Sequence, residues 1–397
     1  MRIRSLDLFH VAVPLRKAIK HASHARTVSD NLVVRVTLAD GTIGYGEGVP
    51  RSYVTGETID TTFTTLAHLD ASRQIGTPGD MEGVVAALAN LTVPETNADP
   101  RGMAGNAARC ALELAVLDAY GRHFGRSFGE ALPLAFDLLS TGPHWSLNWP
   151  RRVRYSGAIT ADSTRKELVA ALKMRGYGFK QVKVKVGVEG QDDPKRLKRL
   201  RFLMGRRMDI RIDANEAWSA NELVERVAPL RPFRPSALEQ PVPHSNVGAL
   251  AALREELAVP IMLDESLCGL PDAHDAIERQ TADIFNVRLS KCGGLLASLR
   301  IMDLAFRHGL GVQLGCHPGE TGLLSAAGRH VASRVAGLRY VEGSYDRHVL
   351  ERNLVLEDVT FGYGGRAQPL EGPGLGVTVS FEALGAMTVR HQEVTHA

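Results

Sequence analysis

Residues 181–187 read QVKVKVG, and the alternation in this run decides the fold. Successive residues of a strand point to opposite faces, so Lys183 and Lys185 share one face while Val182, Val184 and Val186 share the other. Valines on one side and lysines on the other fit a parallel barrel strand, whose outer face meets helices and whose inner face looks into the mouth. Outward from this run the same rhythm recurs. Short β-rich runs alternate with amphipathic segments such as TRKELVAALKMRG (164–176) and NELVERVAPLR (221–231), which is the pattern of βα units around a parallel sheet. Counting QVKVKVG, the strand candidates are RYSGAIT (154–160), DIRIDAN (209–215), ALEQP (237–241), IMLDES (261–266), IFNVRLS (284–290), GVQLGC (311–316) and RYVEGS (339–344). Eight strands favour a closed barrel over an open sheet. The clusters GYGEG and FGYGG do not form a G-x-G-x-x-G turn between a strand and a helix, so no nucleotide cradle is expected.

Upstream, LDLFHVAVPL (6–15) and NLVVRVTLADGTIGYGEG (31–48), with an Asp40-Gly41 turn, read as strands, and residues 103–124 read as a packed helix with Gly125 as its stop. The expected organisation is an α+β domain over residues 1–130, a barrel over 150–345, and a tail over 346–397 that returns to the first domain. The chain has 397 residues, 47 Lys+Arg against 44 Asp+Glu (net +3), and 44% hydrophobic residues, so it should fold with a large core. The basic excess reads as mild and spread out, which gives nucleic-acid binding little support. Cys110, Cys268, Cys292 and Cys316 stand too far apart for a C-x-x-C pair. No apolar run reaches about 18 residues and no leader peptide is evident, so a cytoplasmic protein with no membrane partner is expected, as a homo-oligomer.

Three carboxylates, Asp213, Glu239 and Asp264, end three consecutive strands one βα unit apart. A single acid at a strand end is as well explained by a helix cap or a surface ion pair. Three of them in register with Lys185 cannot all stay ionised in a closed mouth without a cation, and all-oxygen ligation suits Mg²⁺. Asn215 and Glu265 lie beside these ligand candidates and are expected to fix them. In IFNVRLS the residues Asn286, Arg288 and Ser290 face inward, Lys291 follows on the other parity, and His317 after the seventh strand is a candidate acid or base. Glu320 suits a first helical turn and, with Glu342, is a substrate-facing candidate. The segments KAIKHASHART (17–27) and GVPRSYVTGET (48–58) bring Lys20, His21, His24, Arg26, Arg51 and Tyr53, a cationic set that favours an anionic substrate.

With KVKVG, RIDANEAW, LEQPV, LDES and a lysine before CGG in order at βα spacing, the chain resembles the enolase superfamily. The resemblance runs over essentially the whole length, to the mandelate racemase/muconate lactonizing enzyme family and its muconate cycloisomerase and dipeptide epimerase branch. It implies a (β/α)7β modified TIM barrel with an α+β capping domain built from both ends of the chain. It also implies Mg²⁺ held by Asp213, Glu239 and Asp264, with Lys185 as general base and Lys183 beside it. Two departures matter. Arg288 stands where the epimerases carry a second acid/base lysine, and arginine keeps its proton at physiological pH. The segment VEGSYD, with Glu342 and Asp346, replaces the Asp-x-Asp that holds a dipeptide ammonium. The expected reaction is therefore proton abstraction α to a carboxylate, giving a metal-stabilised enediolate. One-base elimination or cycloisomerisation follows, of the muconate cycloisomerase or o-succinylbenzoate synthase kind. The alternative is racemisation or epimerisation of an N-acyl amino acid or dipeptide with Lys291 or His317 as the second group; a more remote one is a catalytically idle barrel that only binds.

Overall fold

The computed structural model describes residues 1–20, 25–94, 105–140, 142, 144–160 and 163–395. The chain opens with strands β1 (Ile3–Lys20), β2 (Ala25–Leu38) and β3 (Ile43–Gly48), followed by helices α1 (Ile59–Ala67), α2 (Ala71–Ile75), α3 (Met81–Ala89), α4 (Asn106–Phe124) and α5 (Phe128–Leu139). The final strand, β14 (Thr388–Thr395), pairs antiparallel with β1, so the cap sheet runs β14-β1-β2-β3 and joins both ends of the chain. The GYGEG cluster explains how α4 packs on this sheet. Gly44, Gly46 and Gly48 occupy alternate positions of β3, and a Cβ at any of them would overlap the α4 backbone at Ala119, Ala111 or Ala107. Only glycine permits that approach.

A short strand β4 (Val153–Arg154) precedes the barrel and pairs with β13 (Arg366–Ala367). The barrel strands are β5 (Gly157–Ile159), β6 (Gln181–Lys185), β7 (Asp209–Asp213), β8 (Leu238–Glu239), β9 (Ile261–Leu263), β10 (Ile284–Val287), β11 (Gly311–Leu314) and β12 (Leu338–Val341). They pair in parallel and in sequence order, and the two edges meet where Ser156 N donates to Val341 O at 2.8 Å. Between them run α6 (Thr164–Gly176), α7 (Asp193–Met204), α8 (Leu223–Val227), α9 (Leu250–Leu257), α10 (Leu270–Glu278), α11 (Leu295–Arg307) and α12 (Gly322–Arg334); α13 (Asp346–Val349) and α14 (Phe381–Met387) follow the last barrel strand. This is the expected α/β class with eight parallel strands. Each strand is shorter than its motif because the charged residues sit at or just past the last ladder pair. Val182 and Val184 are fully buried on the outer face of β6, where the helices pack.

One reading of the charge is corrected. Positive charge is not spread evenly: α6 and α7 pack side by side through Arg196 and Glu167, and their outer faces carry exposed Arg165, Lys166, Lys173, Arg175, Lys195 and Lys198. Whole-chain totals hid this because acids elsewhere offset it. Among the described residues no helix is long and apolar enough to cross a membrane, and all four cysteines are free.

Candidate active site

The barrel mouth is built from consecutive strand ends. Register places Lys185 beside Asp213 and Asp213 beside Glu239, so the pleat alone gathers these three side chains. Lys183 lies one pleat deeper, with Nζ 3.0 Å from Glu342 Oε2, 3.2 Å from Glu239 Oε1 and 3.4 Å from Asp213 Oδ2. Burial opposes its charge, yet Glu239, Glu342 and Asp213 together raise its pKa well above that of an ordinary amine. Lys185 shifts the other way. Burial lowers its pKa, and Lys183 and Arg288 add to this against the pull of Asp213 and Glu265.

Asp264 lies immediately past β9 and is held from β10 and its loop. It pairs with Arg288, and Lys291 Nζ donates to its Oδ1 at 2.8 Å and to its main-chain oxygen at 2.6 Å. The third Lys291 proton goes to Asn286 O at 2.8 Å. All three donors of this fully buried ammonium are used; burial opposes its charge, yet Asp264, with Cys292 and Cys268 adding to the effect, leaves its pKa raised. Arg288 is likewise held charged by Asp264, with Glu265 and Glu239 adding to the effect against burial. Asp264 is kept ionised, its pKa lowered despite burial by Arg288, Lys291 and Lys183. Glu239 is the opposite case. Burial pushes its pKa up to about 8 despite Lys183; Oε1 accepts from Asn286 Nδ2 at 3.0 Å, and Oε2 is buried without a hydrogen-bond partner among the described residues.

Asn215 lies between Asp213 and Glu265: Asn215 N donates to Asp213 Oδ1 at 3.0 Å and Asn215 Nδ2 to Glu265 Oε1 at 3.2 Å. His317 is 3% exposed, and among the described residues neither ring nitrogen has a hydrogen-bond partner. Burial lowers its pKa well below the usual imidazole range, with Arg288, Arg51 and Lys291 adding to the effect. Glu320 turns back to accept from His317 N, and burial raises its pKa to about 8.

Two assignments change. Glu342 does not face a substrate ammonium: it is the counter-ion of Lys183 and of Arg211, whose Nη2 donates to Oε1 at 2.6 Å. Asp346 accepts from Ser325 and Asn353 and is equally unavailable. Arg51 is not a loop charge turned toward substrate, since its guanidinium is buried in the cap on Asp30 O, Pro50 O and Ser29 Oγ. Arg26 donates to Tyr53 Oη at 2.8 Å and to Pro318 O at 3.0 Å, bringing the cap loops onto the His317 segment. His21, His24 and the Lys20 side chain lie outside the described residues. Arg211, fully buried and stacked 4.2 Å from the Tyr340 ring, was missed although it shares the strand face of Asp213.

The donor set fits a hard divalent cation: three carboxylates from adjacent strand ends, one bearing a buried oxygen with no partner. Among the described residues no three His, Cys, Asp or Glu side chains yet close on one point, because Lys183, Arg288 and Lys291 hold the acids. Residues 165–383 match the family described as Enolase C-terminal domain-like. The L-Lys-D/L-Arg epimerase of Methylococcus capsulatus is 30% identical over 384 residues, 95% of this chain and 99% of that one. Muconate cycloisomerase 1 of Rhodococcus opacus is 26% identical over 395 residues, 98% of this chain and 99% of that one. The dipeptide epimerase of Cytophaga hutchinsonii, crystallised with Mg and the dipeptide D-Ala-L-Val, superposes with a TM-score of 0.82 at 26% identity over the full length of both chains. Strand order, the acids at the strand ends and these relatives agree: the chain belongs to the enolase superfamily, in its mandelate racemase/muconate lactonizing enzyme family.

Proposed function

We propose that the protein removes the proton α to a carboxylate with Lys185 and inverts that carbon, acting as a racemase or epimerase of an N-acyl amino acid or a dipeptide. The observation that carries this is the division of labour on β6. Lys183 is engaged by three acids, and Lys185, two residues on and on the same face, is the amine whose pKa falls. A general base at neutral pH has to be such an amine. Asp213, Glu239 and Asp264 would hold Mg²⁺, which when bound supplies a Lewis acid at the substrate carboxylate. Lys183 keeps a fixed positive charge beside the position where negative charge develops. Lys185 Nζ takes the proton, and the electron pair of the broken C–H bond spreads into the carboxylate.

Inversion needs a proton delivered to the opposite face. Arg288 cannot release one, and Lys291 has all three donors engaged below Asp264. His317, buried and with both ring nitrogens unpartnered among the described residues, is the remaining titratable group; burial and the neighbouring cations favour its neutral form, so it has to take up a proton before it can deliver one. The epimerases among the relatives, the L-Lys-D/L-Arg enzyme above all, support inversion over ring closure. Arg288 favours a second reading, one-base elimination or cycloisomerisation with Lys185 serving a single face.

The test incubates purified protein with Mg²⁺ in D₂O and with L-Lys-L-Arg, N-succinyl-L-arginine and cis,cis-muconate, followed by NMR. Deuterium at Cα together with the epimer supports the proposal. Exchange with retention, or lactone from muconate, supports the one-base reading. Exchange in none of a wider panel of N-acyl amino acids and dipeptides would overturn the racemase or epimerase reading.

A further inference from the structure

Between β11 and α12 the chain carries Cys316, His317 and Glu320 into the barrel mouth. Among the described residues nothing hydrogen-bonds the imidazole of His317 itself: both ring nitrogens are buried and unpartnered, and Glu320 Oε1 stands 3.8 Å from Nδ1, beyond hydrogen-bond reach. The ring is therefore placed by its backbone, and the backbone is gripped from the cap. Asn31 Nδ2 donates to Gly319 O at 2.8 Å and to Glu47 Oε1 at 2.6 Å. Glu47 in turn accepts from Thr321 N at 3.0 Å, from Thr321 Oγ1 at 2.8 Å and from Leu324 N at 3.1 Å, taking hold of the first turn of α12. Ser29 Oγ donates to Asn31 Oδ1 at 2.6 Å and accepts from Arg51 Nη2 at 2.6 Å. Gly319, at φ +100°, lies so close to Ser29 that a Cβ there would overlap its side chain. Ser29, Asn31, Glu47 and Thr321 are fully buried.

We infer that Asn31 and Glu47 are positioning residues: they set the loop that carries His317, so that seating the cap on the barrel and placing this imidazole are one structural event. The inference deepens the proposed function, because it makes the second face of the reaction depend on the cap. Every partner of the Glu47 carboxylate is a donor, so Glu47→Gln sets an NH₂ group against N–H and O–H groups at nearly unchanged volume.

The test needs no substrate. Diethyl pyrocarbonate is added to the full-length protein, and carbethoxylation of His317 and His330 is followed by peptide mass spectrometry. Both imidazoles are buried, 3% and 2% exposed, but His330 lies elsewhere in α12 and is held by Leu375 O. In Glu47→Gln, His317 should react about tenfold faster than in the wild type while His330 stays protected, which is the signature of local rather than global opening. Asn31→Asp, which keeps the Ser29 contact and loses the donor to Gly319 O, should act in the same direction and serves if Glu47→Gln does not fold. Protection of His317 in both variants, or joint exposure of His317 and His330, would overturn the inference. In the D₂O assay the variants should epimerise roughly tenfold more slowly while exchange by Lys185 with retention persists; equal loss of both rates also overturns it. Failure of the epimerase reading shows separately, in wild-type protein that exchanges without inverting, and the modification ratio still decides whether Asn31 and Glu47 hold His317.

Discussion

The β6 side and the β10 side of the barrel mouth carry the same kinds of charge and hold them differently. On the β6 side the acids converge on Lys183, and its neighbour Lys185 remains half-buried with a lowered pKa. On the β10 side Arg288 and Lys291 converge on one acid, Asp264, and both are held in their charged forms. The helices follow the same division. α6 and α7 start on their own caps, Ser163 and Asp192, whereas α11 and α12 receive carboxylates from the cap domain, Glu113 on Leu296 N and Glu47 on Thr321 and Leu324. The helices beside the adjustable amine start on caps from their own chain segment, and those beside the fixed cations are also tied to the cap domain. Whether a cation titrates here depends on how the acids are shared out, so two lysines two residues apart diverge while an arginine and a lysine agree.

The most damaging change to this contrast is Lys185→Met. Removing the one adjustable amine should slow α-proton exchange by about 10³-fold, within the range typical of a general base, with the circular dichroism spectrum unchanged. A loss below about tenfold would mean that Lys185 is not the base and would end the contrast. Lys291→Met should leave the β6 side intact and cost about 3–5 kcal/mol in urea denaturation, because it leaves two carbonyl oxygens and one carboxylate oxygen without the buried ammonium. A cost under about 1 kcal/mol would show that Arg288 alone suffices for Asp264.

Glu113 tests the tie to the cap. One oxygen accepts from Leu296 N at 3.0 Å and the other is buried without a partner among the described residues, so burial outweighs Arg109 and the α11 amides and raises the pKa from 4.5 to about 7. The folded chain then holds a proton that the unfolded chain releases between these values. The contribution is therefore fully present below pH 4.5 and is lost as pH rises through about 7, by up to about 3 kcal/mol. Urea denaturation of wild type and Glu113→Gln at acidic and mildly alkaline pH should show a smaller loss in the variant, because Glu239 and Glu320 still contribute theirs in both proteins. Equal slopes would remove Glu113 as the cause.

How far all this was legible depends on distance along the chain. The eight strands and the acids at their ends could be read because each motif is local: alternation fixes which side chains face inward, and βα spacing brings them to one mouth. Arg211 obeys the same alternation two residues before Asp213 and was readable; once it is seen inside the barrel, Glu342 becomes its counter-ion rather than a substrate ligand. Glu113 carried a fainter signal, a lone acid in the otherwise apolar face of α4. Asn31 and Glu47 carried none, because their partners lie nearly three hundred residues away and depend on how two domains meet. Arg51 was misread for a related reason: a loop arginine looks solvated until the strand beside it is known.

The mildest substitution sharpens the contrast most. Arg288→Lys keeps the charge and loses the planar fork, and since Lys291 still holds Asp264, stability should fall by only about 1 kcal/mol. Its chemical consequence differs from that of every other change, because it puts a titratable amine on the side of the mouth where the present cations cannot release protons. If that position faces the α-carbon opposite Lys185, the lysine can take over delivery of the second proton. His317→Ala alone should then exchange the α-hydrogen with retention, and His317→Ala combined with Arg288→Lys should regain the epimer. Should the double variant stay confined to one face, the Arg288 position serves Asp264 and not the substrate, and the difference between the two sides lies in where their cations point as much as in how they titrate.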